Sequence, residues 1–128
     1  MIAVDTSVLV RYFVQDDAIQ AELATQLFEE RLTVADPGLI TLVSVHETYW
    51  TLIRVYNLSI ESVKAIIAEL LDAPNLVLEH RLAVQNALTA PAGFADALIH
   101  FVGASMGASI TVTFDKKFAR LAGVELLA

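Results

Sequence analysis

Apolar and polar positions alternate along this chain in blocks that change period, and each change marks an element. Ile2, Ala3 and Val4 form a short apolar run with two β-formers, which predicts a buried strand ending at Asp5. From Thr6 to Val14 the apolar residues Val8, Leu9, Tyr12 and Phe13 follow helical spacing, and Gln15-Asp16-Asp17 closes the segment. Ala18 to Leu32 repeats the pattern at Ile19, Leu23, Leu27 and Phe28, with Glu22, Gln26, Glu29, Glu30 and Arg31 as the wet face. Asp36-Pro37-Gly38 is a turn signature, and Leu39 to Val43 is a second strand.

A helix is expected to open at Ser44-Val45-His46-Glu47 and run to about Tyr56, with Val45, Tyr49, Trp50, Leu52 and Ile53 among its apolar positions. Ser59 or Ser62 caps the next, which reaches Asp72 with Val63, Ile66, Ile67, Leu70 and Leu71 on its stripe before Pro74 stops it. Leu76-Val77-Leu78 is a third strand, and Leu82 to Ala90 a further helix. Gly93 to Gly107 reads as a helix that is apolar almost all round and so expected to lie deep. Ile110 to Thr113 is a fourth strand, Asp115 to Leu121 a short helix, and Val124 to Leu127 an edge strand. Strands separated by helices predict a single α/β domain over residues 1–128, a three-layer α/β/α sandwich around a mainly parallel sheet of four to five strands.

Composition sharpens this in three ways. Apolar residues make up 56% and charged residues 18%, against typical values of about 45–50% and about 25%, so part of the apolar surface is expected to be covered by another chain. No cysteine is present, which excludes disulfides and thiolate metal sites. No basic segment precedes an apolar core at the amino terminus, and the oily run Phe94–Phe114 is broken by Asp96, His100 and small polar residues. A cytoplasmic protein with no membrane partner is therefore expected. The formal net charge of −7 works against nucleic-acid binding unless a metal supplies positive charge locally.

Four carboxylates sit at element boundaries among apolar neighbours: Asp5, Glu47, Asp96 and Asp115. Charges so placed need partners. Each also has a purely local reading. Asp5 and Asp115 fit helix N-caps, Glu47 fits a capping box with Ser44, and Asp96 answers the dipole of its helix. Asp5 stands at the carboxyl end of a strand, where ligands collect in open α/β sheets. His100, four residues after Asp96, is read as a hydrogen-bonded histidine rather than a ligand, and His46 and His80 as solvent or interface residues.

Taken together, Val4-Asp5-Thr6-Ser7, Ser44-x-x-Glu47, Phe94-Ala95-Asp96-Ala97-Leu98-Ile99 and Thr113-Phe114-Asp115-Lys116-Lys117-Phe118 resemble the ordered motifs of the PIN domain. They are most similar to those of the single-domain toxins of the VapBC toxin–antitoxin type. The resemblance implies a PIN-like fold with Asp5, Glu47, Asp96 and Asp115 as catalytic and metal-binding residues, Mg²⁺ or Mn²⁺ as cofactor, and RNA phosphodiesters as substrate. It further implies Thr6 and Thr113 as supporting residues, a homodimer, and a cognate antitoxin as partner. Asp5 and Asp96 are then the principal ligands. Oxygen-rich sites of this kind suit hard divalent ions, which relieve carboxylate repulsion and activate water. Arg11, Lys116, Lys117 and Arg120 are candidates for phosphate contacts, with a solvated basic face as the plainer reading.

One position departs from the pattern. Many relatives carry a further Asp three residues before Asp96, where this chain has Gly93. That substitution and the acidic balance keep a second class of function open, a catalytically weak or inactive PIN-like module that binds RNA or protein. A haloacid dehalogenase-like phosphotransferase is disfavoured because its Asp-x-Asp pattern is missing, Ser7 standing at the second position.

Overall fold

In the computed structural model, which describes residues 1–128, the chain divides into two units, Met1–Glu79 and His80–Ala128. In the first unit, strand β1 (Ile2–Ala3) leads into helix α1 (Thr6–Phe13), and α2 (Ala18–Gln26) ends in a π-turn over Leu27–Arg31. Strand β2 (Gly38–Ile40), helices α3 (Leu42–Arg54) and α4 (Ile60–Asp72), and strand β3 (Leu76–Leu78) follow. The three strands pair in parallel in the order β1-β2-β3, with Ile2 opposite Gly38 and Gly38 opposite Leu76.

Gly38 is required by close approach. A Cβ there would stand 2.7 Å from Leu32 Cδ1 and 2.9 Å from Leu76 Cδ2. The helices lay their apolar stripes against this unit's core, where Leu9, Ile40, Val45, Leu52, Val63 and Ile67 are wholly buried. Each such side chain contributes about 1.5–3 kcal/mol by leaving water. The end of the π-turn leaves carbonyls without helical partners, and Asn75 Nδ2 donates to Phe28 O within it at 2.8 Å and to Leu32 O just after it at 3.3 Å.

The second unit contains α5 (Arg81–Thr89), α6 (Phe94–Ser105), β4 (Thr111–Thr113), a 3₁₀ turn at Phe118–Arg120, and β5 (Val124–Leu126). Strands β4 and β5 pair in parallel, with Thr111 opposite Val124. His100 ties α6 to this sheet through a 2.8 Å hydrogen bond between its Nδ1 and Thr111 Oγ1, which is the hydrogen-bonded histidine expected from the sequence. Gly123 has φ +85°, and a Cβ there would lie 2.9 Å from His100 Cε1. Six α-helices and five strands, every strand pair parallel, give the expected α/β class, with three of the strands hydrogen-bonded in the first unit and two in the second. No helix is long and apolar enough to cross a membrane.

Three expectations need correction. Helix α3 begins at Leu42 rather than Ser44, because the Thr41 hydroxyl caps it by accepting from Ser44 N; the second strand accordingly stops at Ile40. In α2 the buried positions are Ala21 and Ala24, whereas Ile19 and Leu23 stand 75% and 61% exposed. Small residues let α2 approach its neighbour closely, and the larger apolar side chains point away. Helix α6 is not deep along its length, since only Phe94, Ala97 and Leu98 are buried while Ile99 is 61% exposed. Its all-round oiliness reflects surface that its own unit leaves partly uncovered.

Candidate functional site

Asp5 leaves β1 in extended conformation and caps α1. Its Oδ2 accepts from Ser7 N at 3.1 Å and from Ser7 Oγ at 2.6 Å. These two bonds, the hydroxyl's being the stronger influence, hold the Asp5 carboxyl below its ordinary pKa, so the exposed group is ionised at neutral pH. The cap reading and the ligand reading are therefore compatible. Capping fixes the carboxylate in position and keeps it charged.

Thr6 opens the first turn of α1, and its hydroxyl donates to Glu47 Oε1 at 3.3 Å. Glu47 lies in α3, whose N-terminus is secured twice, by the Thr41 side chain and by Glu79 Oε1 accepting from Leu42 N at 2.9 Å. Glu47 is thus not the capping-box partner of Ser44, a correction that follows from the earlier start of the helix. Its carboxylate is free to meet Thr6. In the first unit, then, the Asp5 and Glu47 carboxylates are held by adjacent residues of the first turn of α1, Asp5 by Ser7 and Glu47 by Thr6. Glu79 was missed in the sequence because a residue capping a helix from a distant strand end leaves no local signature.

In the second unit Asp96 occupies the first turn of α6, half-buried. Gly93 is the N-cap residue, with φ −57° and ψ 145°, and a Cβ on it would lie 3.6 Å from Asp96 Oδ2. A side chain at position 93 would therefore start in ordinary contact with the Asp96 carboxylate and meet no clash. Asp115 folds the chain after β4 into a tight turn, its Oδ1 accepting from Lys117 N at 2.8 Å and Phe118 N at 3.1 Å. The Thr113 hydroxyl accepts from Asp115 N at 3.0 Å, fixing the backbone from which that carboxylate projects. The expected helix there shrinks to a single 3₁₀ turn.

Among the basic candidates, Lys116, Lys117 and Arg120 are exposed and make no ion pair. Arg11 is different. Its Nε donates to Gln20 Oε1 at 2.8 Å, and Nη1 donates to Tyr56 OH at 2.8 Å and to Asp16 Oδ1 at 2.9 Å. The bond to Tyr56, ahead of the attraction of Asp16, raises the guanidinium pKa further. Arg11 thus clamps α1 to α2 and to the chain following α3. His46 accepts the indole N–H of Trp50.

Within neither unit do three or more His, Asp or Glu side chains gather closely enough to hold a metal ion. The fit to a divalent ion rests on donor chemistry: all four predicted ligands offer carboxylate oxygen, the type that Mg²⁺ and Mn²⁺ take.

The PIN domain family model matches residues 2–124 of this chain. No curated protein sequence matches it. PIN domains are in general nucleases that bind nucleic acids and use divalent metal ions. The matched stretch takes in Asp5, Glu47, Asp96 and Asp115 together with the residues that hold them, and the chain belongs to the PIN domain family.

Proposed function

We propose that this protein is a single-domain, metal-dependent endoribonuclease and the toxin of a type II toxin–antitoxin pair. The observation that carries the nuclease reading is the Asp5-Thr6 dipeptide, in which one residue presents a carboxylate held ionised by Ser7 and the next anchors Glu47. Asp5 and Asp96 are the principal ligands for Mg²⁺ or Mn²⁺, and Glu47 and Asp115 assist through water or a second ion. Bound there, the ion supplies charge against the phosphodiester and activates water for hydrolysis. Thr6 and Thr113 orient the carboxylates they serve. Lys116, Lys117 and Arg120 attract phosphate, and Arg11 retains only Nη2 for that purpose.

The toxin role draws on uncovered apolar surface. Val8, Leu23 and Leu27 line a groove between α1 and α2, beside exposed Ile19, and this suits a helix-in-groove antitoxin contact. Exposed Ile99, Val112 and Phe114 in the second unit suit a homodimer contact. A cytoplasmic site of action goes with this reading.

The test is cleavage of a labelled mixed RNA pool with Mg²⁺, Mn²⁺ or EDTA, beside Asp96→Asn. Metal-dependent cutting that the variant lacks is the expected result. Gly93 favours the second reading, an inactive binding module, and RNA binding without cutting under every metal condition would select it.

A further inference from the structure

Helix α3 carries a second chemical feature on the side that bears Glu47. His46, Trp50 and Arg54 stand four residues apart and so form a ladder along one flank of the helix. The Trp50 indole N–H donates to His46 Nε2 at 2.8 Å, which places His46 in the tautomer protonated at Nδ1. The Arg54 guanidinium lies over the indole, 4.6 Å from the ring centroid. Tyr49 meets the ring edge to face, with centroids 5.4 Å apart and planes at 86°.

This arrangement is not a core. The buried residues of α3 are Ser44, Val45, Thr48, Tyr49 and Leu52, whereas Trp50 is half-buried and Arg54 exposed. Three features distinguish the ladder from an incidental surface cluster. The indole's single polar group is satisfied within the protein, so the ring offers a ligand no donor of its own, only π-surface and the guanidinium stacked over it. Its orientation is fixed by the His46 bond and the Tyr49 edge, so binding requires little further ordering. Arg54 forms no ion pair although acidic residues outnumber basic ones 15 to 8 in the chain. A guanidinium stacked on an aromatic ring and lacking a carboxylate is suited to phosphate and to the face of a base at once.

We propose that the His46–Trp50–Arg54 ladder is a stacking platform for an unpaired base of single-stranded RNA, with Arg54 holding an adjacent phosphate. The platform rests on the nuclease reading of the same helix. Trp50 and Arg54 follow Glu47 by three and seven residues, within about two turns on one face. Stacking without a free donor is tolerant of base identity, so the platform selects unpaired RNA over duplex and imposes little sequence preference.

Trp50 is the chain's only tryptophan, so its emission reports directly on the platform. The probes are a mixed-sequence single-stranded RNA decamer, the same decamer in duplex form, and an abasic decamer of the same backbone. Each is titrated against the full chain in EDTA and separately in Ca²⁺, with anisotropy of a labelled end read in parallel. The single strand quenches Trp50 and saturates; the duplex and the abasic strand leave emission unchanged, and the abasic strand binds about tenfold more weakly. Trp50→Phe keeps most of the affinity and Trp50→Ala loses about tenfold. Arg54→Gln lowers the salt dependence of binding by about one phosphate contact.

Binding of the single strand without a change in emission overturns the proposal, as does equal quenching by the abasic strand or no binding in either condition. Emission that varies with protein concentration alone assigns the ladder to a contact between protein chains instead. Trp50→Phe keeps the aromatic packing if Trp50→Ala fails to fold, and the wild-type titration stands without either. Quenching in EDTA alongside no cleavage in Mg²⁺ would sink the nuclease reading and leave the platform. Cleavage in Mg²⁺ without quenching would do the reverse.

Discussion

In Met1–Glu79 the large side chains Leu9, Ile40, Val45, Leu52, Val63 and Ile67 are wholly removed from water, and three strands share one parallel ladder beneath them. In His80–Ala128 only Val84 among the large apolar residues is so completely buried, while Leu82, Ile99, Met106, Val112 and Phe114 each stand more than half exposed. The candidate residues differ in the same way. Glu47 reaches the first turn of α1, which Asp5 caps, from a helix whose own N-terminus is secured twice, whereas Asp96 stands beside an open glycine and Asp115 is held only by its immediate neighbours. The first unit holds its chemistry on a core of its own. The second buries fewer of its large side chains completely, although exposed apolar residues occur in both units, Ile19, Leu23, Val34 and Val43 among them in the first.

That contrast is easiest to break with core substitutions. Leu52→Ala removes a wholly buried side chain from the first unit and should lower the unfolding free energy by about 2–5 kcal/mol, read from the urea midpoint. Phe114→Ser, at a position 80% exposed, should change it by less than about 0.5 kcal/mol while reducing self-association in sedimentation. A large stability loss at Phe114 would show the second unit to be built like the first.

Function should reverse the ranking. Asp96→Asn in the softer unit is expected to cut RNA cleavage by roughly 100-fold or more with little change in melting temperature. Gly93→Asp, sterically open beside Asp96, should fold normally and tighten Mn²⁺ binding in calorimetry. Gly123→Ala tests how rigid the second unit is where it does pack. Its left-handed backbone and the His100 ring should together cost about 1–2 kcal/mol or more.

Smaller effects sharpen the picture of α3. The Thr48 hydroxyl is buried without a partner, and Thr48→Val should stabilise the protein by about 1 kcal/mol, whereas Thr41→Ala removes the helix cap and should cost about the same. The smallest expected effect is acid dependence at Asp5. Its folded-state pKa is depressed, so its contribution is fully present above the ordinary pKa of 3.8 and is lost as pH falls through the lower folded value. Asp5→Asn should therefore flatten the stability profile below about pH 4 and leave it parallel to wild type above, in denaturation series at stepped pH.

Much of this was legible in the residues. Strands at Leu76–Leu78 and Thr111–Thr113, the Ser59 cap and the stop before Pro74 were evident because turn and cap chemistry acts over a few residues. The start of α3 was misplaced because Ser44 and Glu47 mimic a capping box while Thr41 and Ser44 make the actual cap. In α2 and α6 periodicity marked apolar residues correctly as apolar. Whether Ile19, Leu23 or Ile99 finds cover depends on neighbours outside the helix, which no local pattern encodes. The acids at element boundaries were visible for the same local reason as the caps. The engagement of Arg11 by Gln20, Asp16 and Tyr56 was not, since Tyr56 comes from far along the chain.

The sheet of the first unit also carries a consequence for the order of assembly. Ile2 finds its partner at Gly38 and Gly38 finds its own at Leu76, whereas Thr111 pairs with Val124 only 13 residues on. Closing the longer loops costs about 1 kcal/mol more in chain entropy for each strand added. Refolding from denaturant should accordingly register the β4–β5 pairing early and the three-strand ladder late, so the stronger half of this protein is also the slower to form.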